Sequence, residues 1–270
     1  MPKIKKPNYL SSLLKNKGAF VLKKILNENE KKKIINAFFS TLRKYIKIDN
    51  RFDDSNVENI LLHKKLIKFR KQEPQKFGNF YDELSLNASL RSIFYSKKFI
   101  KLFSKILNTK EEFLYLNGFM FRLDAPHDKR NVLDWHQDSP WFQQSYPSFN
   151  AAVCWIPVTD HNYKNGATLY VPKSHGKYIN VKREAKGRLD SLQFRCSPTK
   201  DEKKLIQRFE PPFGDIVIAH FNLKHRSGKN ISKKFRLTLG CRYHDTSKDF
   251  NIGKERYFFN KTKSIYLIKN

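Results

Sequence analysis

Cysteine, acidic side chains and long apolar runs are all scarce in this 270-residue sequence, and each scarcity excludes something. The three cysteines, Cys154, Cys196 and Cys241, are odd in number and form no Cys-x-x-Cys pair. That argues against a disulfide framework and against a cysteine-built zinc site. No apolar run approaches the ~18–20 residues a spanning helix needs. The opening MPKIKKPNYLSSLLKNKGAF has no apolar stretch followed by a small-residue cleavage site. The chain therefore reads as neither an integral membrane protein nor a secreted one, and a cytoplasmic location is expected.

Acidic residues number 25 against 54 Lys and Arg, a formal net charge of +29, which raises nucleic acid and anionic surfaces as partner classes. The excess is not concentrated. Residues 1–50 carry 13 basic and 3 acidic side chains, residues 220–270 carry 13 and 3, and the middle carries 28 and 19. With 40 Lys to 14 Arg and many Asn and Ile, this is the texture an AT-rich genome writes into any surface. Nucleic acid is accordingly the less favoured partner. The apolar material is ample, with 23 Phe and 12 Tyr, and a chain of this length buries enough of it for one folded unit, residues 1–270.

Residues 18–47 open with the strand-like run Phe20, Val21, Leu22. Asn27 and Glu30 then form a helix-start signature, and Ile34, Ile35, Phe38, Phe39, Leu42 and Ile46 recur at three- and four-residue spacing. The stretch 83–107 repeats the helical period through Leu90, Ile93, Phe94, Phe99, Leu102, Phe103 and Ile106, so two or three helices are expected in a mostly helical support region, residues 1–110. After Asn108 the runs LYLNGFMFRL, AAVCWIPVT, ATLYVPKS, DIVIAHF and RLTLGCRYH predict many short strands over residues 111–250, with 251–270 a C-terminal tail. Helices followed by consecutive strands suggest a helical layer packed on a sandwich or barrel.

Within Trp135-His136-Gln137-Asp138, an extended backbone puts the imidazole of His136 and the carboxylate of Asp138 on one face, a two-point platform for a metal. Chance alone supplies roughly 0.4 such His-x-Asp pairs in a chain of this composition, so the pair needs company. His225 is the best candidate for a third ligand, with His220 a rival, and two histidines plus one carboxylate leave coordination positions open as in non-haem Fe(II) oxygenases. Arg236 lies in the apolar strand FRLTLGCRYH, where burying an unpaired guanidinium is costly, so it calls for a carboxylate partner such as a dicarboxylate cosubstrate. Ser227 stands close enough in sequence to His225 to add a hydrogen bond.

The runs WHQD, AAVCWIPVTDHNYKNGATLYVPKSHG, PPFGDIVIAHFNLKHRSGKN and FRLTLGCRYH, with GAFVLKKILNENEKKKI at the front, resemble the phytanoyl-CoA dioxygenase family from about residue 18 to 244. The resemblance implies a double-stranded β-helix, mainly β with N-terminal supporting helices. It implies that His136, Asp138 and His225 bind Fe(II), that Arg236 and Ser227 hold the distal carboxylate of 2-oxoglutarate, and that Trp155 and Asn117 line the cosubstrate pocket. It further implies consumption of O2 and 2-oxoglutarate, release of succinate and CO2, and hydroxylation of a small-molecule substrate. Asp138 favours hydroxylation, because related halogenases lack that carboxylate. Lys173 stands where the family commonly has glycine.

Two rivals keep a place. An oxidative nucleic-acid demethylase shares the His-x-Asp, and Arg236 with Arg242 reproduces an Arg-x5-Arg pair; a silent jelly-roll binding protein needs no chemistry at all. His175 and Asn165-Gly166 read as structural, His127, His161 and His244 as surface or loop residues, and Trp141, Phe142 and Tyr146 as packing. The polar segment between Val171 and Ile216 carries Lys177, Lys182, Arg183, Lys186, Arg188 and Arg195, which suggests a loop over the site and an anionic substrate.

Overall fold

The computed structural model describes residues 9–48, 56–128, 132–142, 144–179 and 195–250. The tail 251–270 and the basic residues Lys182, Arg183, Lys186 and Arg188 lie outside the described residues.

The capping signature works as the sequence suggests. Asn27 accepts the Glu30 backbone N–H at 2.9 Å while the Glu30 carboxylate accepts that of Asn27 at 2.8 Å, opening helix α2 (Glu28–Arg43). Its Ile34, Phe38, Phe39 and Leu42 are buried. The helical layer is richer than the expected two or three elements: among the described residues it also contains α1 (Tyr9–Lys17), α3 (Ile60–Gln72), α4 (Pro74–Leu86), α5 (Ala88–Phe94) and α6 (Lys97–Leu107). The stretch read as one periodic segment from 83 to 107 is broken twice, because Asn87 and Ser96 leave the helical backbone and cap the helices that follow them through Leu90 N and Phe99 N. No helix among the described residues is long and apolar enough to cross a membrane.

The strands form two antiparallel sheets. β1 (Ala19–Leu22), β6 (Ile216–His220), β3 (Ala151–Pro157), β8 (Arg236–Asp245) and β2 (Leu114–Asp124) lie in that spatial order, and β5 (Gln207–Arg208), β4 (Leu169–Tyr170) and β7 (His225–Arg226) make a small second sheet. A short helix, α7 (Lys200–Lys204), precedes β5. This is the jelly-roll architecture expected.

Side chains alternate across the large sheet. Cys154, Ile156, Ile218, Leu237, Leu239, Cys241 and Tyr243 enter the same core as Phe38, Phe80, Phe94 and Phe103 from the helices. Tyr243 stacks on Phe103 with ring centroids 3.6 Å apart and donates its hydroxyl to Phe94 O at 2.7 Å. The opposite face, with Val153, Trp155, Val217 and Phe221, looks toward Phe209 and Tyr170 of the small-sheet side. β2 carries a bulge between Asn117 and Met120, where Gly118 has φ +58° and a Cβ would sit 2.6 Å from the Arg242 side chain. Only glycine permits that approach.

Phe103→Ala removes a ring at the joint between helices and sheet and is expected to cost about 3–5 kcal/mol, whereas Asn27→Ala costs about 1 kcal/mol. Urea denaturation of the two variants measures both, and equal losses would show that the cap, not the stack, secures the helical layer.

Candidate metal centre

His136 and Asp138 sit on the irregular segment between β2 and β3, and His225 opens β7. Two backbone hydrogen bonds join the segments reciprocally, His136 N to His225 O at 2.9 Å and His225 N to His136 O at 3.0 Å. Asp138 N donates to Phe221 O at 2.9 Å. Gln137, pointing the other way, donates through Nε2 to Asn222 O at 2.6 Å and Lys177 O at 2.8 Å. The backbone thereby fixes the separation of the three side chains before any ion contributes.

Each imidazole is oriented by its own neighbourhood. His136 Nδ1 lies 2.5 Å from Asp134 O and His225 Nδ1 lies 2.9 Å from Leu223 O, so both Nδ1 atoms serve as donors and both Nε2 atoms offer lone pairs. Those Nε2 atoms are 3.8 and 3.9 Å from Asp138 Oδ1, and ligand atoms of all three residues lie within 4.8 Å of one another. Two atoms bound at ~2.1 Å to a common ion can be at most ~4.2 Å apart, which both histidine–carboxylate distances satisfy.

The protonation states suit a cation. Burial, reinforced by the neighbouring His225, pushes His136 down to about 3, and burial also lowers His225, so both rings are neutral near pH 7. Burial works to raise Asp138, but Arg242 and the two histidines outweigh it and hold the carboxyl below its usual range. Its second oxygen, Oδ2, accepts from Arg242 Nε at 3.2 Å. Arg242 is itself held by Gly118 O at 2.7 Å and lies 4.3 Å from the Phe142 ring centroid.

The cavity beside this cluster is lined by Trp155, Ser227 and Arg236, while Asn117 is not among its walls. Asn117 instead engages His244 Nε2 through Oδ1 at 3.1 Å. Arg236 finds the carboxylate partner it calls for within the protein. Its cross-strand partner Asp124 accepts from Nη2 at 2.5 Å and from Nε at 3.2 Å. Nη1 is nevertheless buried with no partner among the described residues, so its N–H groups remain for a carboxylate. Asp124 is shared with Arg122, whose Nη2 donates to Oδ1 at 2.9 Å and which also lines the cavity.

Sequence reasoning missed Arg122, although the signal used for Arg236 was there, namely charged residues in the apolar run FMFRLD. Two histidines read as surface or loop residues are buried, His161 in a loop and His244 in β8. His161 is on the cavity wall with Nε2 3.1 Å from Thr238 Oγ1, and His244 lies between Ser145 and Asn117. His220 turns away from the cluster, its ring 5.1 Å from His175, and its Nδ1 accepts from Asn222 N. His175 anchors the N-terminal helix through Lys15 O at 2.8 Å, and Lys173, where the resemblance calls for glycine, adopts φ +61°.

The family model of phytanoyl-CoA dioxygenase matches residues 14–238. Phytanoyl-CoA dioxygenase 1 of Oryza sativa subsp. japonica is 30% identical over 111 residues, covering 41% of this chain and 38% of that protein. The ectoine dioxygenase of Bordetella parapertussis is 26% identical over 144 residues, covering 48% and 46%. The matched stretches thus span less than half the length of these curated relatives. In fold, the chain is similar to EctD from S. alaskensis with 2-oxoglutarate and 5-hydroxyectoine (TM-score 0.58, 14% identity, 89% of this chain and 77% of that one). It is likewise similar to EvdO2 from Micromonospora carbonacea var. aurantiaca complexed with 2-oxoglutarate (TM-score 0.57, 15% identity, 92% and 97%).

Burial lowers His161, His220 and His244 to about 3 and His63 to about 4. An unfolded histidine takes a proton near pH 6.5, so the unfolded state binds more protons between pH 6.5 and 3–4, and stability falls as the pH drops through that window. Each ring costs up to ~1.4 kcal/mol per pH unit there. The melting temperature of the metal-free protein should fall steeply from pH 6.5 to 5 and stay level from 7 to 8; a flat profile below 6.5 would contradict the burial of these four rings.

Proposed function

Because the chain belongs to the phytanoyl-CoA dioxygenase family, we propose that it is a non-haem Fe(II)- and 2-oxoglutarate-dependent dioxygenase that hydroxylates a small-molecule substrate. The observation that carries this reading is the conjunction, in one cavity, of His136, Asp138 and His225 with the spare Nη1 donor of Arg236. Two neutral imidazoles and one ionised carboxylate are a donor set for a hard divalent cation, and they leave positions free for a chelating cosubstrate and O2. Bound there, iron would couple the oxidative decarboxylation of 2-oxoglutarate to insertion of one oxygen atom of O2 into a substrate C–H bond, with succinate and CO2 as coproducts.

The chain's own residues supply binding and orientation. Arg236 would hold the distal carboxylate of 2-oxoglutarate, with Ser227 beside it and Trp155 as a wall. Asp124 fixes the Arg236 fork through Nε and Nη2, which leaves the Nη1 edge of the guanidinium for a ligand. Arg242 engages Asp138 Oδ2, leaving Oδ1 for the metal. Arg242 is thus occupied with the metal carboxylate, which accounts for the Arg-x5-Arg spacing without a nucleic-acid substrate. Lys177 in the long polar segment supports an anionic substrate, and three buried free thiols suit a reducing, cytoplasmic compartment.

Anaerobic titration of the metal-free protein with Fe(II) and then 2-oxoglutarate should produce the charge-transfer absorption of the chelate. His136→Ala should abolish it, and Arg236→Ala should weaken 2-oxoglutarate binding by roughly 10–100-fold, the loss expected when a buried charged hydrogen bond worth ~1.5–3 kcal/mol is removed. Folded protein that gives no band would favour the binding-protein reading instead.

A further inference from the structure

Helix α3 combines a strongly basic composition with exposed aliphatic side chains. Its thirteen residues contain five basic side chains and no acid. Leu62, His63, Leu66 and Phe69 face the core. Besides the terminal Gln72, the outward residues are Ile60, Leu61, Lys64, Ile67, Lys68 and Lys71. At ~100° per residue these six fall within an arc of about 120°, so aliphatic and cationic groups share one continuous face. Leu61 is 51% exposed, and Ile60 and Ile67 are 38% and 37% exposed.

The surroundings extend this face. A cleft runs along the helix, lined by Ile67, Ala125, Pro126 and Phe235, with Arg70 and Lys71 at its rim. The nearby acids are occupied elsewhere: Asp128 pairs with Arg70 at 2.7 Å, Glu58 with Lys234 at 2.8 Å, and Glu73 with Lys76. Lys64, Lys68 and Lys71 have no ion-pair partner among the described residues. In a chain of net charge +29 most lysines are solvated singly, but here three stand among exposed aliphatics.

We propose that the α3 face is a peripheral docking site for an anionic phospholipid surface, with Lys64, Lys68 and Lys71 meeting headgroup phosphates and Leu61 and Ile67 entering the headgroup–acyl boundary. Charge complementarity selects an anionic occupant. The aliphatics select a bilayer over a nucleic acid, which is bound by arginine forks and aromatic platforms. Among the described residues, Arg70 is the only arginine of this face and is held by Asp128, and no exposed aromatic belongs to it. Helix α3 cannot span, since its other side is built into the core; it lies on the surface as amphipathic interfacial helices do. The proposal is independent of the iron chemistry.

The test is co-sedimentation of the full chain with vesicles of phosphatidylcholine alone or mixed with phosphatidylglycerol. Binding is expected only to the mixed vesicles and should weaken with salt. Each surface lysine contributes about five-fold to such partitioning, so Lys64→Gln, Lys68→Gln and Lys71→Gln together should reduce it roughly 100-fold. The matched control Lys200→Gln, Lys203→Gln, Lys204→Gln on α7 should change it far less. Leu61→Gln with Ile67→Gln should also weaken binding, and circular dichroism melts confirm that each variant is folded. A fluorophore on Lys68→Cys, selective because the native thiols are buried, should shift to the blue on mixed vesicles. Equal losses for the two lysine triples, no effect of the aliphatic pair, or capture by single-stranded oligonucleotide in preference to vesicles would each overturn the proposal.

Discussion

Two reciprocal backbone hydrogen bonds between His136 and His225 hold together parts of the chain almost ninety residues apart, and the candidate centre depends on them. They bring the imidazole centroids to 4.2 Å without asking either side chain to find the other. Around them, the turn at residues 221–223 supplies carbonyls to Asp138 N, Gln137 Nε2 and His225 Nδ1. Main-chain geometry is stiff on the scale of a metal–ligand bond, so a donor set mounted this way is preorganised rather than gathered by the ion. The neutral state of both rings follows from the same burial that the bridge enforces.

Electrostatics near the cluster rests on two carboxylates, each serving more than one partner. Asp124 lies between Arg122 and Arg236, and Asp138 faces two histidines through one oxygen and Arg242 through the other. A buried guanidinium without an anion would be prohibitive, and a pair fully satisfied by its partner would have nothing left for a ligand. Sharing Asp124 between two arginines solves both problems. It keeps the positive charge folded in and leaves Nη1 of Arg236 unmet.

Much of this was legible in the sequence because it obeys short-range rules. The His-x-Asp spacing, the capping pair Asn27 and Glu30, the face of α2 and the run of short strands all depend on residues near one another. The failures share a different origin. Asn87 and Ser96 look like ordinary polar residues within a helical period, and only their backbone shows that they end one helix and begin another. His161 sits in a run too polar to signal burial and His244 at the next-to-last position of a strand, and their hydrogen-bond partners, Thr238 for the one and Ser145 and Asn117 for the other, come from remote segments. Asp124 belongs to Arg236 by strand pairing across 112 positions, a relation that no local pattern encodes.

Strand β8 presents Arg236, Thr238 and Arg242 to the cavity and Leu237, Leu239, Cys241 and Tyr243 to the helical core, one after another. Fold and site are therefore written on alternate letters of the same word. Substitutions can accumulate on either side of the strand separately, and relatives can drift far apart in identity while keeping both. A single inserted or deleted residue is another matter, because it would turn guanidinium groups into the phenylalanine layer and aliphatics into the cavity together. Change of length along β8 is closed to this lineage even where change of residue is open, so new specificities must be sought in the loops that leave the strand's ends.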